Sequence, residues 1–424
     1  MIRGLPILGL AVVLAGTPLG AAEPAPATLT LDEALRLMRQ QNPDTLAQEL
    51  RLRAARGDVV TARMIPNPTL STGVANLPLG RTNPPGLSAG QTVGAQVGLT
   101  EELQLWGRRS ARVAAAQGRE AQTTAERSDL DRQLSYAVRT AFVDLLLSDE
   151  RVRLAHQTLD EYLETVRVSE ARARAGEISP AELDKIRLEQ RTVEHDLADA
   201  ELAHRQAVAT ILPLIGETAG DVTATGDVGA PAVPGDVDGL IAGALERRPD
   251  LLAATHAADA AEAALRQARA ERWPDPTVGL VYTHSEFQIS GDLRDQLGAT
   301  LSLPVPVFDR NQGTIQRAEA EALIAHHDVD KLRLAIPQEV RTAVATYTSA
   351  AQRVRRFEAG FLAQARTARH AAEVSYREGT AGILDLLEAE RTYLQTLRDH
   401  LDARRDAYDA AFDVTRAAAL EVAP

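Results

Sequence analysis

The sequence predicts a mainly α-helical protein with a small membrane β part. It is built from a duplicated unit in which a long coiled-coil helical hairpin is joined to a β-hairpin. Three observations carry this prediction. The same blocks of sequence occur twice in the same order. A proline-free run with a heptad seam far exceeds the length of an ordinary globular helix. Four short segments alternate apolar and polar residues with a period of two. Composition agrees, because aromatic residues make up only 4% of the chain while alanine, leucine, arginine and glutamate abound, as in long helices.

At the N-terminus Arg3 precedes an apolar run from Leu5 to Leu19, and the small residues Gly20, Ala21 and Ala22 stand before "EPAPA". This layout predicts a secretory signal peptide over residues 1–22 and an exported mature chain. The run is short for a membrane helix, and no later stretch approaches the roughly 20 apolar residues that a spanning helix needs. The chain has no cysteine, which removes disulfides, thiolate metal sites, a cysteine nucleophile and a lipidated anchor. A formal charge of −13, made more negative by loss of Arg3, argues against a nucleic-acid partner.

The first unit, residues 23–212, opens with the helical "LTLDEALRLMRQQNPD" (29–44). "IPNPTLSTGVAN" (65–76) and "VGAQVGLTEELQLWGRR" (93–109) then hold strands expected at 68–77 and 92–101. In the second strand Val93, Ala95, Val97 and Leu99 alternate with Gly94, Gln96, Gly98 and Thr100. The connection "PLGRTNPPGLSAG" carries the glycine, proline and polar residues of an exposed loop.

A helix follows over 106–175. At about 70 residues it would reach about 105 Å if continuous. Leu134, Val138, Ala141, Leu145, Ser148, Val152, Ala155, Leu159, Tyr162, Val166, Ser169 and Ala173 follow steps of four and three, a heptad seam with many small members. Gly176, Glu177, Ile178 and Ser179 form a turn. Ser179 is placed as an N-cap, Pro180 suits the first helical position, and Glu182 falls where a capping-box acid belongs. The chain therefore reverses into a helix over 180–212, with Leu183, Ile186, Val193, Leu197 and Ala200 carrying the seam back.

A linker at 213–235 leads to the second unit, 236–424. There "DVDGLIAGALERRPD", "WPDPTVGLVYT" and "LGATLSLPVPVFDRN" repeat the order, with strands expected at 276–286 and 295–304. Leu297, Ala299, Leu301 and Leu303 form one face of the last strand. Long helices are expected at 310–378 and 383–420, with a seam through Leu332, Ile336, Val340, Ala343, Tyr347, Ala350, Val354, Phe357 and Phe361 and a kink at Pro337. They meet at a turn of Gly379, Thr380, Ala381 and Gly382.

Strands of roughly ten residues match the thickness of an outer membrane when tilted. The alternative is a water-soluble four-stranded sheet packed on helices. Trp106, Trp273 and Phe308 stand just beyond the strand ends opposite the loops, where interfacial aromatics lie, although packing roles would also suit the tryptophans. Four strands cannot close a barrel, and open strand edges are not tolerated in lipid, so several chains must share one barrel.

Asp385 and Glu388 follow the last turn three residues apart. Such a pair fits an acid/base site, half a metal site, or ordinary first-turn acids favoured by the helix dipole.

"ALRLMRQQNPD" with "ALERRPD", "PNPTL" with "PDPTV", "GEISPAELDKIRLEQR" and "GTAGILDLLEAERTYL" together resemble the TolC-like outer-membrane efflux family over nearly the whole mature chain. The resemblance implies a homotrimer, with a shared 12-stranded outer-membrane β-barrel, an α-barrel tunnel across the periplasm, and contact with outer-membrane lipid. It also implies tips that meet a periplasmic adaptor protein joined to an inner-membrane pump of the RND type. On the same basis Asp385 and Glu388 would ring the tunnel mouth, Tyr376 would precede the turn at the gate, and Glu182 would link neighbouring helices. Ala381 replaces an arginine with which some relatives latch the closed state.

"TEELQLWGRRSARV" looks most like the heavy-metal branch, the cobalt-zinc-cadmium resistance components. Export of drugs, other organic solutes or polypeptides is the alternative, as is a soluble periplasmic coiled-coil scaffold. The nine histidines form no metal motif; His326 and His327 are adjacent and point apart on a helix. No cofactor is expected. Without a phosphate loop, triad or cysteine nucleophile, no enzyme is expected either.

Overall fold

The computed structural model describes residues 28–420 apart from 78, 83, 84, 227–232, 234 and 287–292. The expected signal peptide, parts of both strand-connecting loops and part of the linker lie outside the described residues. In chain order the elements are β1 (Thr28–Leu29), α1 (Leu31–Gln41), α2 (Pro43–Arg63), β2 (Thr69–Ala75), α3 (Ala89–Thr92), β3 (Gly94–Glu102), α4 (Arg108–Arg174), α5 (Pro180–Leu214) and β4 (Thr223–Ala224). They continue as α6 (Val237–Arg247), α7 (Pro249–Ala270), β5 (Thr277–Ser285), β6 (Asp295–Ser302), α8 (Gln312–Arg356), a π-helical turn at Phe357–Phe361, α9 (Leu362–Arg377) and α10 (Ile383–Ala417).

The opening helical segment is two helices because Asn42 and Pro43 divide it. The Asn42 side chain accepts hydrogen bonds from the N–H groups of Asp44 and Thr45 at 2.9 and 3.3 Å, and Pro43 occupies the first helical position. The Asn42 amide also donates to the carbonyl of Leu214 at 3.1 Å, tying this break to the end of α5. Nearby, β1 pairs in parallel with β4, Thr28 opposite Thr223 and Leu29 opposite Ala224. Asp149 on α4 accepts from the Ala224 N–H at 3.2 Å and meets His204 on α5 at 3.0 Å. Phe142, Leu145, Ile211, Met38 and Phe412 form the core here, so this waist is where the two long helices of the first unit are fixed to α1 and α10.

Helix α4 has 67 residues, about 100 Å of rise. Along its heptad seam Val138, Ala141, Leu145, Ser148, Tyr162, Val166 and Ser169 are buried, and Leu134, Val152, Ala155, Leu159 and Ala173 are half-buried. In α8 the seam uses Ile336, Val340, Ala343 and Ala350, all buried.

The helix expected over 310–378 is interrupted, but not where expected. Helix α8 runs on through Pro337, and the break is the π turn at Phe357–Phe361. A count of residues explains it. The same interval separates Val138 from Val340, Ala141 from Ala343, and Ser148 from Ala350. One residue more separates Leu159 from Leu362, Ser169 from Ala372, and Gly176 from Gly379. The second unit thus carries one extra residue between Val354 and Leu362, taken up in the π turn, where Gly360 leaves helical geometry (φ 170°, ψ −27°) and the helix kinks. Phe361, expected in the seam, is 53% exposed; Leu362, half-buried, takes the place instead.

Other boundaries differ at element ends. Trp106 and Gly107 precede α4 in left-handed conformations, φ 60° and 75°, where the helix had been expected to begin. Residues 89–92 are a helical turn rather than the start of β3, and α10 stops at Ala417.

The four long strands form one antiparallel sheet in the order β2-β3-β5-β6. Thr69 pairs with Thr100 and Thr277 with Ser302 in the two hairpins, and β3 joins β5 with Leu99 opposite Leu280.

Candidate functional site

Residues directly opposite one another in a sheet share a face, so the pairing sorts the side chains. One face carries Leu70, Val74, Val97, Leu99, Leu280, Tyr282, Leu297 and Leu301, with Thr72 among them and His284 and Asp295 at its loop end; the other carries Thr69, Ser71, Gln96, Thr100, Thr283, Gln296 and Thr300, with Val281 its one large apolar residue. The apolar face is uncovered: Leu301 is 73% exposed, Leu297 75% and Leu280 57%. A water-soluble sheet packed on helices would bury these leucines. An apolar face this large and open instead faces lipid, and the polar face lines a lumen. Strands β2 and β6 are both open edges.

Below the sheet, the joint between the units is built around Asp275. This carboxylate is 6% exposed, accepts the Leu105 N–H at 2.9 Å and meets the Arg108 guanidinium at 2.5 Å. Leu103 donates its N–H to the Pro276 carbonyl at 2.9 Å, continuing the ladder past the strand ends. The Trp106 indole donates to the Pro274 carbonyl at 3.4 Å and lies 6.0 Å from the Trp273 ring. Both tryptophans and Phe308 are exposed, Phe308 at 92%. The two tryptophans therefore sit together just past the strand ends, and Phe308 follows β6 at the same end of the sheet. Asp275 was not singled out in the sequence; its signal is the contrast of "PDP" with "PNP" at matching positions.

At the opposite end of the helices, both turns are built alike. Gly176 and Gly379 have φ of 77° and 73°, and the next residues, Glu177 and Thr380, donate their N–H groups to the carbonyls of Arg172 and Ser375 at 2.9 Å. This is a Schellman closure, which favours glycine. Ser179 and Glu182 cap α5 reciprocally: the Glu182 N–H donates to the Ser179 hydroxyl at 3.2 Å and the Ser179 N–H to the Glu182 carboxylate at 2.8 Å, and the Ser179 N–H, then its hydroxyl, hold the Glu182 carboxyl below its ordinary range. Asp385 accepts the Gly382 N–H at 3.0 Å. Asp385 and Glu388 are both exposed. Ile178 and Ala381 are half-buried in the turns. Tyr376 packs against the cluster of Tyr162, Ile186, Ile383 and Leu386, with the Arg172 guanidinium 5.3 Å above its ring.

Above the tips, α10 is riveted to the first unit by arginines. Arg391 pairs with Glu189, Arg398 with Asp196, Arg404 with Glu150 and Arg405 with Asp144. Arg391, Arg398 and Arg405 stand at heptad spacing. Arg369 on α9 reaches both Glu161 and Glu390 at 2.9 Å. Partly exposed pairs of this kind contribute up to about 1 kcal/mol each, so they fix the register of the helices more than their stability.

Among the described residues no group of three or more His, Asp or Glu is placed to hold a metal, and His326 is paired with Glu262 at 2.8 Å. Ser148, His204 and Asp149 stand together at the waist. Both partners use the same nitrogen of His204, Nδ1, at 3.3 and 3.0 Å, so the trio cannot relay a proton through the ring as a catalytic triad does.

The sequence profile described as "Outer membrane efflux protein" matches residues 34–217 and again 240–419. The chain belongs to the outer membrane efflux protein family. It is an outer-membrane channel with a helical part reaching into the periplasm. The chain is 27% identical over 390 residues to the cobalt-zinc-cadmium resistance protein CzcC of Cupriavidus metallidurans, covering 92% of this chain and 89% of the relative. It is 26% identical over 391 residues to the pyoverdine export outer membrane protein OpmQ of Pseudomonas putida, covering 86% and 80%. Among solved structures, one of CusC, described in connection with folding and transmembrane channel formation, superposes with a TM-score of 0.77 at 18% identity, covering 92% of this chain and 91% of that one. That likeness concerns the fold.

Proposed function

We propose that three copies of this chain form the exit duct of a tripartite efflux system. The duct would conduct heavy-metal cations passively from a periplasmic adaptor and an inner-membrane pump of the RND type to the outside, with no catalysis by the chain itself. The observation that carries the assembly is the sheet: its apolar face is open to lipid and both its edges are unpaired, and three sets of four strands complete a closed barrel. The relationship to CzcC supports the cargo. The absence of a metal-binding cluster among the described residues is compatible with it, since a conduit need not hold what it carries. The turns at 176–179 and 379–382 are the surfaces offered to the adaptor. Asp385 and Glu388, exposed beside the second turn, with Glu182 and Tyr376 close to the turns, form the gate in this reading. Trp106, Trp273 and Phe308 mark the periplasmic border of the lipid.

Deletion of the gene is expected to lower the concentrations of cobalt, zinc and cadmium salts that the cell tolerates, and re-expression of the chain to restore them. Unchanged metal tolerance together with lost export of an organic solute, such as a siderophore, would transfer the duct to that cargo.

A further inference from the structure

The joint inside the chain is a template for the joint between chains. Thr69 and Thr277 occupy matching places in the two hairpins, as do Thr100 and Ser302. Each residue on the β3–β5 joint therefore has a counterpart on the free edges β6 and β2. Carried over, the pairing of Glu101 with Val278, Leu99 with Leu280 and Val97 with Tyr282 becomes Leu303 with Leu70, Leu301 with Thr72, and Ala299 with Val74. The apolar face then continues across the seam, with Thr72 the one polar residue among these six.

Two further observations fit this register. Leu103 directs its N–H across the joint to Pro276, so in a strand Leu105 faces the same way while Glu102 and Gln104 face inward. Their counterparts are Val305, Val307, Pro304 and Pro306. The prolines thus stand only where the donor would face the chain's own hairpin, and the valines stand where an N–H is needed for a neighbour. In the single chain the Val307 N–H turns back to the Val305 carbonyl at 2.9 Å. The edge residues Ile65, Leu70, Leu303, Val305, Val307 and Phe308 are all exposed, whereas Asp275 at the completed joint is buried.

The arginine keeps its place as well. The interval from Thr100 to Ser302 is the same as that from Val138 to Val340, so Arg108 corresponds to Arg310, although α8 begins two residues later than α4 would suggest. Asp275 corresponds to Asn67, which is exposed. We propose that strand β6 of one copy pairs with β2 of the next in the register Leu303–Leu70 to Ala299–Val74, copying the internal joint. At this seam Arg310 meets the neutral Asn67 where the internal joint has the carboxylate of Asp275. This rests on the reading that the chain is a trimer. The ring then alternates ion-paired joints within chains and uncharged seams between them.

The chain has no cysteine, so paired cysteines report the seam without background. Ser71 and Ser302 are predicted partners at a position without ladder hydrogen bonds, where side chains approach closely. Within one chain they lie on opposite edges, three inter-strand spacings or about 14 Å apart, too far for a disulfide. Oxidation of the S71C/S302C variant in outer membranes should give covalent trimers, whereas S71C/T300C and S302C/T69C, displaced by two residues, should give little. Efficient cross-linking of a displaced pair, or of no pair in a protein that is still trimeric by mass in detergent, would overturn the register and leave the trimer standing. A monomeric mass would overturn both. In addition, N67D should raise the temperature at which the trimer dissociates in detergent, and R310Q should remove the gain. An equal gain in the R310Q background would overturn the Arg310 contact.

Discussion

At the residue scale, the most consequential side chain is one with no conspicuous local motif. Asp275 holds two partners while almost fully buried, so removing it strands the Arg108 guanidinium and the Leu105 N–H. Breaking a buried pair in this way costs about 3 kcal/mol. D275A is therefore expected to lower the unfolding temperature of the detergent-solubilised protein clearly, with D275N, which keeps an acceptor, falling in between. The sequence offered "PDP" without a reason to prefer it, because Arg108 lies far away in the chain. The carboxylates at the tip are the reverse case. Asp385 reads in the sequence either as a gate acid, by resemblance, or as a first-turn acid favoured by the helix dipole, and its bond to the Gly382 N–H accounts for its position on local grounds. Single-channel recording separates the two roles: D385A/E388A is expected to lose cation preference and block by multivalent cations. If both properties persist, the pair serves only as helix acids.

At the element scale, the long helices were legible because a heptad repeat leaves a periodic mark over many turns, and twelve seam positions on α4 contain no exposed residue. The mark failed at one place. Phe357 and Phe361 continue the four-three spacing, yet the inserted residue moves the true seam to Leu362; period alone does not distinguish an apolar residue that packs from one that faces outward. Pro337 misled in the other direction, since α8 continues through it. The two-residue strands β1 and β4 are too short to leave any pattern. Packing between α10 and α4 also makes a titration prediction. Burial, followed by repulsion from Asp144, raises the Asp409 carboxyl from 3.8 to about 6 despite Arg405 nearby. Because the folded state holds this proton more tightly than the unfolded chain, stability from this group is greatest below pH 3.8. It declines as pH rises to about 6. D409N is expected to flatten the pH dependence of the unfolding temperature over that window, and an unchanged slope would assign it to other groups.

At the scale of the whole molecule, the architecture was legible because duplication repeats each signal and because a sheet with an open apolar face has few other uses in an exported chain. The cargo was not, since a duct recognises little of what passes through it and leaves that choice to its partners. Length was under tighter control than chemistry. Measured in residues, the two units agree from Thr100 and Ser302 at the sheet to Ser148 and Ala350 halfway down, and the single surplus residue is taken up within the turn at Phe357–Phe361. Taken up at the kink in that turn, the residue leaves the Arg172 guanidinium 5.3 Å from the Tyr376 ring, just above the two tips. Gly176 and Gly379 therefore finish at nearly the same depth, and an adaptor approaching from below would meet a flush rim instead of alternating high and low points.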